Sequence, residues 1–170
     1  MRAGWTSLGA VCGLLVFLSI PPAGVTQSLA DLQARFDRET NGVHKAKLIE
    51  KLGDAQLEEA RRAGKAGEYD AVGVTLEKYR DNVRAAIETL KKQHPDAEKQ
   101  SNGYRQLEMQ VRKGIREVDE TLLVSPEGYK PPLQIVRQDL MEMNDELLKM
   151  LFPHRPAEQH PATPPAEKRP

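Results

Sequence analysis

Between Glu68 and Leu90 the residues Tyr69, Val72, Leu76, Tyr79, Val83, Ala86, Ile87 and Leu90 recur at three- and four-residue spacings, with Gly73 in the same phase. At 100° per residue they form one apolar stripe, and Glu77, Lys78, Asp81, Arg84 and Glu88 fall largely outside it. The pattern predicts an amphipathic helix that ends at His94-Pro95, because the residue before a proline is pushed out of helical geometry. Such a stripe cannot be buried alone, so the flanking segments must supply partner faces.

The same period continues on both sides. From His44 to Gly64, Ala46, Ile49, Leu52, Leu57, Ala60 and Ala63 share one face. Small residues on it, Gly53 included, predict the close approach of a partner helix. Gly64 and Gly67 predict the stop, since glycine relieves the left-handed conformation at a helix C-terminus. Upstream, Leu29, Leu32 and Phe36 predict a short helix over Asp31–Glu39. Asn41-Gly42 signals a turn, yet Val43 keeps the angular phase, so the helix is allowed to run on through a kink. Downstream, Asp96 is the expected N-cap of a helix striped by Tyr104, Leu107, Val111, Ile115, Val118 and Leu122 and ending near Leu123. Gly103 and Gly114 each weaken it by up to about 1 kcal/mol relative to alanine. Val124–Pro131 reads as a turn-rich connection, and Pro131-Pro132 open the last helix. That helix runs to Phe152 with Leu133, Val136, Leu140, Met143, Leu147, Met150 and Leu151 inward. Ile135, Met141 and Leu148 widen its apolar surface, which implies packing on two neighbours or a face kept for a partner.

These elements predict an all-α fold: an antiparallel helical bundle of two long hairpins, roughly Val43–Gln93 and Asp96–Phe152, plus a short N-terminal helix, with no strands. Residues 153–170 hold six prolines in 18 positions without periodicity, the composition of an extended, disordered tail.

The N-terminus changes the picture most. Arg2 precedes an apolar run from Leu8 to Ile20, followed by Pro21-Pro22 and small or polar residues through Ala30. That is the order of a secretory signal peptide. The run is shorter than the roughly 18 residues of a spanning helix. Residues 1–30 are therefore expected to be a signal peptide and 31–152 the bundle domain. Ser28 and Ala30 suit cleavage before Asp31, sites near Ala23 to Ser28 compete, and retention as a membrane anchor is the alternative. Cys12 lies inside the apolar run rather than after it, so lipidation there is rejected. Without residues 1–30 the chain has neither cysteine nor tryptophan, and it suits an oxidising compartment without using disulfides.

Charged residues make up 29% of the chain and aromatic ones 5%, with 25 Lys plus Arg against 25 Asp plus Glu. The core must therefore be aliphatic. The balance removes the electrostatic argument for nucleic acid or an anionic membrane as partner, and nothing in the linear order concentrates a basic patch.

Candidate chemistry is sparse. His44, His94, His154 and His160 lack metal-ligand spacing on a helix, and neither Glu-x-x-His nor His-Glu-x-x-His occurs. His94 sits where a cationic ring offsets the helix macrodipole. Ser101 and Ser125 lie outside any G-x-S-x-G, and no P-loop or dinucleotide fingerprint is present. Glu58-Glu59, Asp119-Glu120 and the set Asp139, Glu142, Asp145 and Glu146 read as solvated faces, although Glu142 and Glu146 share a face that could hold a cation. Tyr69, Tyr79, Tyr104 and Tyr129 could offer a stacking surface, but the first three lie on stripes and read as core with the hydroxyl at the rim. Met141, Met143 and Met150 read as core filling. No catalytic, cofactor-binding or metal residue is assigned, and no cofactor is expected.

Ala60-Arg61, the turn Gly67-Glu68-Tyr69-Asp70-Ala71, Leu76-Glu77-Lys78-Tyr79 and the closing Leu147-Leu148-Lys149-Met150-Leu151-Phe152 resemble uncharacterised all-helical domains of exported bacterial proteins. The resemblance implies no active residues. The turn is also similar to one tetratricopeptide unit, without the repeat at 34 residues that a solenoid requires. The expectation is an exported, non-enzymatic interaction module of the periplasm or cell envelope, or secreted. It would engage a protein partner or itself, with no nucleic acid and no membrane span after signal cleavage. A chaperone-like or stress-response binding protein is the alternative within binding. A hydrolase with a polar pocket not visible in the sequence is the alternative among enzymes.

Overall fold

The computed structural model describes residues 28–153, and the expected signal segment through Gln27 and the tail from His154 lie outside them. The described residues form five α-helices without strands: α1 (Leu29–Arg38), α2 (Gly42–Ala66), α3 (Tyr69–Gln93), α4 (Ser101–Val124) and α5 (Lys130–Leu151), with a 3-10 turn at Glu127–Tyr129 before α5.

Local chemistry sets most of the boundaries. Ser28 caps α1 in a reciprocal box with Asp31, so the helix begins two residues ahead of the expected Asp31. Between α1 and α2 the chain breaks rather than kinks. Asn41 Oδ1 accepts the His44 N–H at 3.0 Å, and Gly42 N–H donates to Gln93 Oε1 at 2.7 Å. A Cβ at position 42 would stand 2.7 Å from the Leu90 backbone. The turn therefore docks on the end of α3, where a continuous helix could not. At the other end of α2, Gly67 alone is the stop, with φ +78° and the Glu68 and Gly67 N–H groups bonded back to Ala63 and Gly64. Gly64 lies inside the helix. Asp96 does not cap α4 either: its carboxylate accepts the N–H groups of Glu98 and Lys99 in a separate turn over residues 97–100, which buries Ala97, and α4 starts at Ser101.

The α2–α3 and α4–α5 hairpins stack side by side. Glu50–Gln106, Asp54–Lys113 and Arg61–Glu117 contacts advance together along α2 and α4, so those two helices run parallel. Arg84–Asp139 and Lys91–Glu146 show the same for α3 and α5. α3 also packs across the diagonal on α4, and α1 lies on α2. An amide ladder ties α1 further in, with Gln33 and Asn82 exchanging two hydrogen bonds and Asn82 donating to Gln56.

The core is mostly aliphatic, with Phe36, Tyr79 and Tyr104 as its buried aromatic residues and Tyr79 at its middle. The Tyr79 ring lies between Gly53 of α2 and Gly114 of α4. A Cβ at 53 would come within 2.9 Å of the ring, and one at 114 within 2.4 Å. The hydroxyl donates to the Gln110 carbonyl at 2.6 Å inside the core, not at its rim as expected from the sequence.

Candidate functional site

A groove opens where α2 and α4 end and α3 begins. Ala60 and Gly64 of α2 and Thr121 and Val124 of α4 form its walls, and Tyr69 at the start of α3 closes it, leaving a solvent-open volume of about 400 Å³. The Tyr69 hydroxyl donates to the Val124 carbonyl at 3.4 Å, and its ring packs on Tyr129 with centroids 5.4 Å apart and planes tilted 33°. Beyond the last buried turn of α4, Leu123 is 84% and Val124 70% exposed. The helix stops there because Ser125, the residue before Pro126, is extended at φ −74°, ψ 141°, while its hydroxyl and N–H both still donate to the Thr121 carbonyl, at 2.8 and 3.0 Å.

The rim is ionic. Glu117 is only 6% exposed and accepts both Arg61 Nε, at 2.8 Å, and Arg61 Nη2, at 2.6 Å, while Arg61 Nη1 donates to Glu58. The hydrogen bond to Glu117 raises the Arg61 guanidinium pKa. Lys65 and Glu120 complete the edge. The groove thus offers an apolar trough with charges of both signs beside it.

The acidic clusters of the sequence are mostly answered by cations. Asp139 lies 3.1 Å from both Arg80 and Arg84, Glu146 pairs with Lys91, and Glu142 accepts from Gln138 at 2.9 Å. The face shared by Glu142 and Glu146 is thus turned to Arg84 and Lys91 across the α3–α5 groove. Glu59 pairs with Arg62 and Asp119 with Arg137, while Glu120 and Asp145 face solvent. Among the described residues no group of three His, Cys, Asp or Glu side chains gathers as a metal site. His44 stands 3.7 Å from Glu39, and the His94 carbonyl takes the Tyr104 hydroxyl at 2.6 Å. His154 and His160 lie outside the described residues. Ser28, Ser101 and Ser125 sit at the start of α1, the start of α4 and the end of α4. Met143 is core and Met150 half-buried, whereas Met141 lies at the surface beside Arg137.

Two groupings are absent from any linear pattern. Tyr69 and Tyr129 meet across the bundle end. Arg35, Arg38, His44 and Lys47 gather around a cleft between α1 and α2, although charge is balanced along the chain. Along the chain the bases flanking Asn41-Gly42 are interleaved with Asp37 and Glu39, and it is the folded-back turn that brings them together. In comparisons with known proteins, no family model, no curated protein and no solved structure matches this chain.

Proposed function

We propose that this is an exported, non-enzymatic binding module of the cell envelope that engages a protein partner at the α2–α4 end groove. The observation that carries this reading is the neighbouring pair Leu123 and Val124, both largely exposed, beside a trough closed by Tyr69, whose ring packs on Tyr129. Exposed apolar residues next to aromatic anchors and a polar rim are the composition of a protein contact surface. Export is supported by the charged, apolar and small-residue order of residues 1–30. The Ser28 capping box adds that α1 is complete only if the mature chain starts at or before Ser28. The helices described here include none long and apolar enough to cross a membrane.

Affinity capture from a solubilised envelope fraction compares the wild type with a Leu123→Asp/Val124→Asp variant, whose sites are exposed enough to leave folding intact. Proteins retained by the wild type and lost by the variant support the groove. A retained set that is indifferent to the substitutions overturns it. N-terminal sequencing of the same material should begin no later than Ser28, and an intact Met1 on a membrane-bound species rejects export with cleavage.

A further inference from the structure

We propose that the cleft between α1 and α2 binds a small phosphate-bearing anion through Arg35, Arg38 and Lys47. The site lies toward the opposite end of α2 from the groove at Tyr69, about 24 Å along the helix for the 16 residues from Leu48 to Gly64, and does not rest on that reading.

The cleft is open to solvent and holds about 440 Å³, with Leu48 as its apolar element and Glu39 as its one carboxylate. Glu39 is already engaged: Oε1 accepts the Asn41 N–H at 2.8 Å, and Oε2 stands 3.7 Å from His44 Nδ1. Three permanent cations therefore face a single, occupied acid. Elsewhere on the bundle Arg61, Arg62, Arg80, Arg84, Arg112 and Arg137 each pair with a carboxylate, and the unpaired Arg105 and Arg116 stand on α4 away from this cleft. Arg35 and Lys47 have no such pair within the described residues. Arg38 is oriented by its Nε–H donating to the Ala34 carbonyl at 3.0 Å, which leaves its terminal nitrogens available.

The walls are held in place. Leu32 and Phe36 bury α1 against the core, Lys45 Nζ lies 4.7 Å from the Phe36 ring centroid, and the Gln33–Asn82 amide pair ties α1 to α3. The helix N-terminus is not the binding element, because the Gly42 and His44 N–H groups are already taken by Gln93 and Asn41. Recognition falls to side chains. Planar guanidinium groups match phosphate oxygens two at a time, and a lysine adds a point charge. The cleft is larger than one phosphate, so a diphosphate or a phosphorylated organic group fits better than a single inorganic ion.

Calorimetric titration of the full chain with inorganic pyrophosphate at low ionic strength should show one site. Arg35→Glu/Lys47→Glu should weaken it at least tenfold, Lys47→Ala should weaken it less, and Glu39→Gln should strengthen it several-fold. Added salt should weaken binding in every case. A parallel arm sediments the protein with phosphatidylglycerol or phosphatidylcholine vesicles. Pyrophosphate binding assigns the phosphate to a soluble molecule; binding to phosphatidylglycerol alone, lost in the double variant, assigns it to a lipid headgroup. No binding in either arm overturns the proposal. So does binding that the double variant, Lys47→Ala and Glu39→Gln all leave unchanged.

Discussion

Tyr79 fits at the centre of the bundle only because positions 53 and 114 lack a Cβ. Gly114→Ala places a carbon within 2.8 Å of three Tyr79 ring and hydroxyl atoms. Overpacking of this kind costs about 1–3 kcal/mol, more than the gain of up to about 1 kcal/mol in helix propensity. At Gly73 the space is open, so Gly73→Ala should stabilise by up to about 1 kcal/mol. Urea melts should therefore move in opposite directions for the two variants, and a Gly114→Ala protein as stable as the wild type would show that the ring is not clamped. The Tyr79 hydroxyl also makes a pH prediction. Burial first, and Asp54 second, raise its pKa above the ordinary value, which is about 10. The folded state then holds the proton where the unfolded state has lost it. This contribution is complete below about pH 10 and falls away as pH rises from there toward the folded value. Tyr79→Phe should remove that part of the alkaline slope, while costing about 0.5–1.5 kcal/mol at neutral pH for the lost hydrogen bond to Gln110. Parallel alkaline slopes in both proteins would mean that the hydroxyl reaches solvent.

At the scale of elements, the α3 stripe is the core of the first hairpin. Leu76 is fully buried and its neighbour Glu77 is not. Leu76→Ala should cost about 2–5 kcal/mol through lost transfer energy and a cavity, and Glu77→Ala no more than about 0.5 kcal/mol. Equal losses in denaturant melts would contradict the amphipathic assignment. The long helices were legible in the sequence because each stripe repeats over six or seven turns, so that local errors average out. So were the joints that proline or glycine sets locally, the α3 stop before Pro95, the α2 stop at Gly67 and the α5 start at Pro131-Pro132. Two joints were not, because they depend on what they touch. The Asn41-Gly42 break is fixed by contact with Leu90 and Gln93, some fifty residues away. The Asp96 turn is held by burying Ala97. The candidate sites were invisible for the same reason. Periodicity says which face of a helix turns inward, but it cannot say that Tyr69 meets Tyr129 or that Arg35 meets Lys47 over one cleft.

At the scale of the molecule, what needs explaining is how two hairpins hold one register against each other. The α2–α4 seam has apolar contact inside and ionic contact along its edge, and the two are not equivalent. Exposed pairs are worth little, because solvent screens them and long side chains lose entropy on pairing. Arg62–Glu59, within one helix and with both partners in partial or full contact with water, belongs to that group. Arg61–Glu117 joins the two hairpins, and its carboxylate is almost wholly buried. Removing Arg61 leaves that charge without its main partner and with little water to replace it. The cost should be about 1–3 kcal/mol, the penalty for stranding a buried polar group, with the partial exposure of Arg61 keeping it below that of a fully buried pair. Arg62→Ala should stay within about 0.5 kcal/mol. Guanidinium chloride would mask the comparison by screening charge, so urea melts at low salt are the appropriate measurement. Arg61→Ala should also shed protection from hydrogen exchange along α4 near Glu117 before the rest of the bundle. If both arginine variants melt with the wild type, the seam is held by its apolar face alone, and Glu117 is solvated by water entering the groove at Val124.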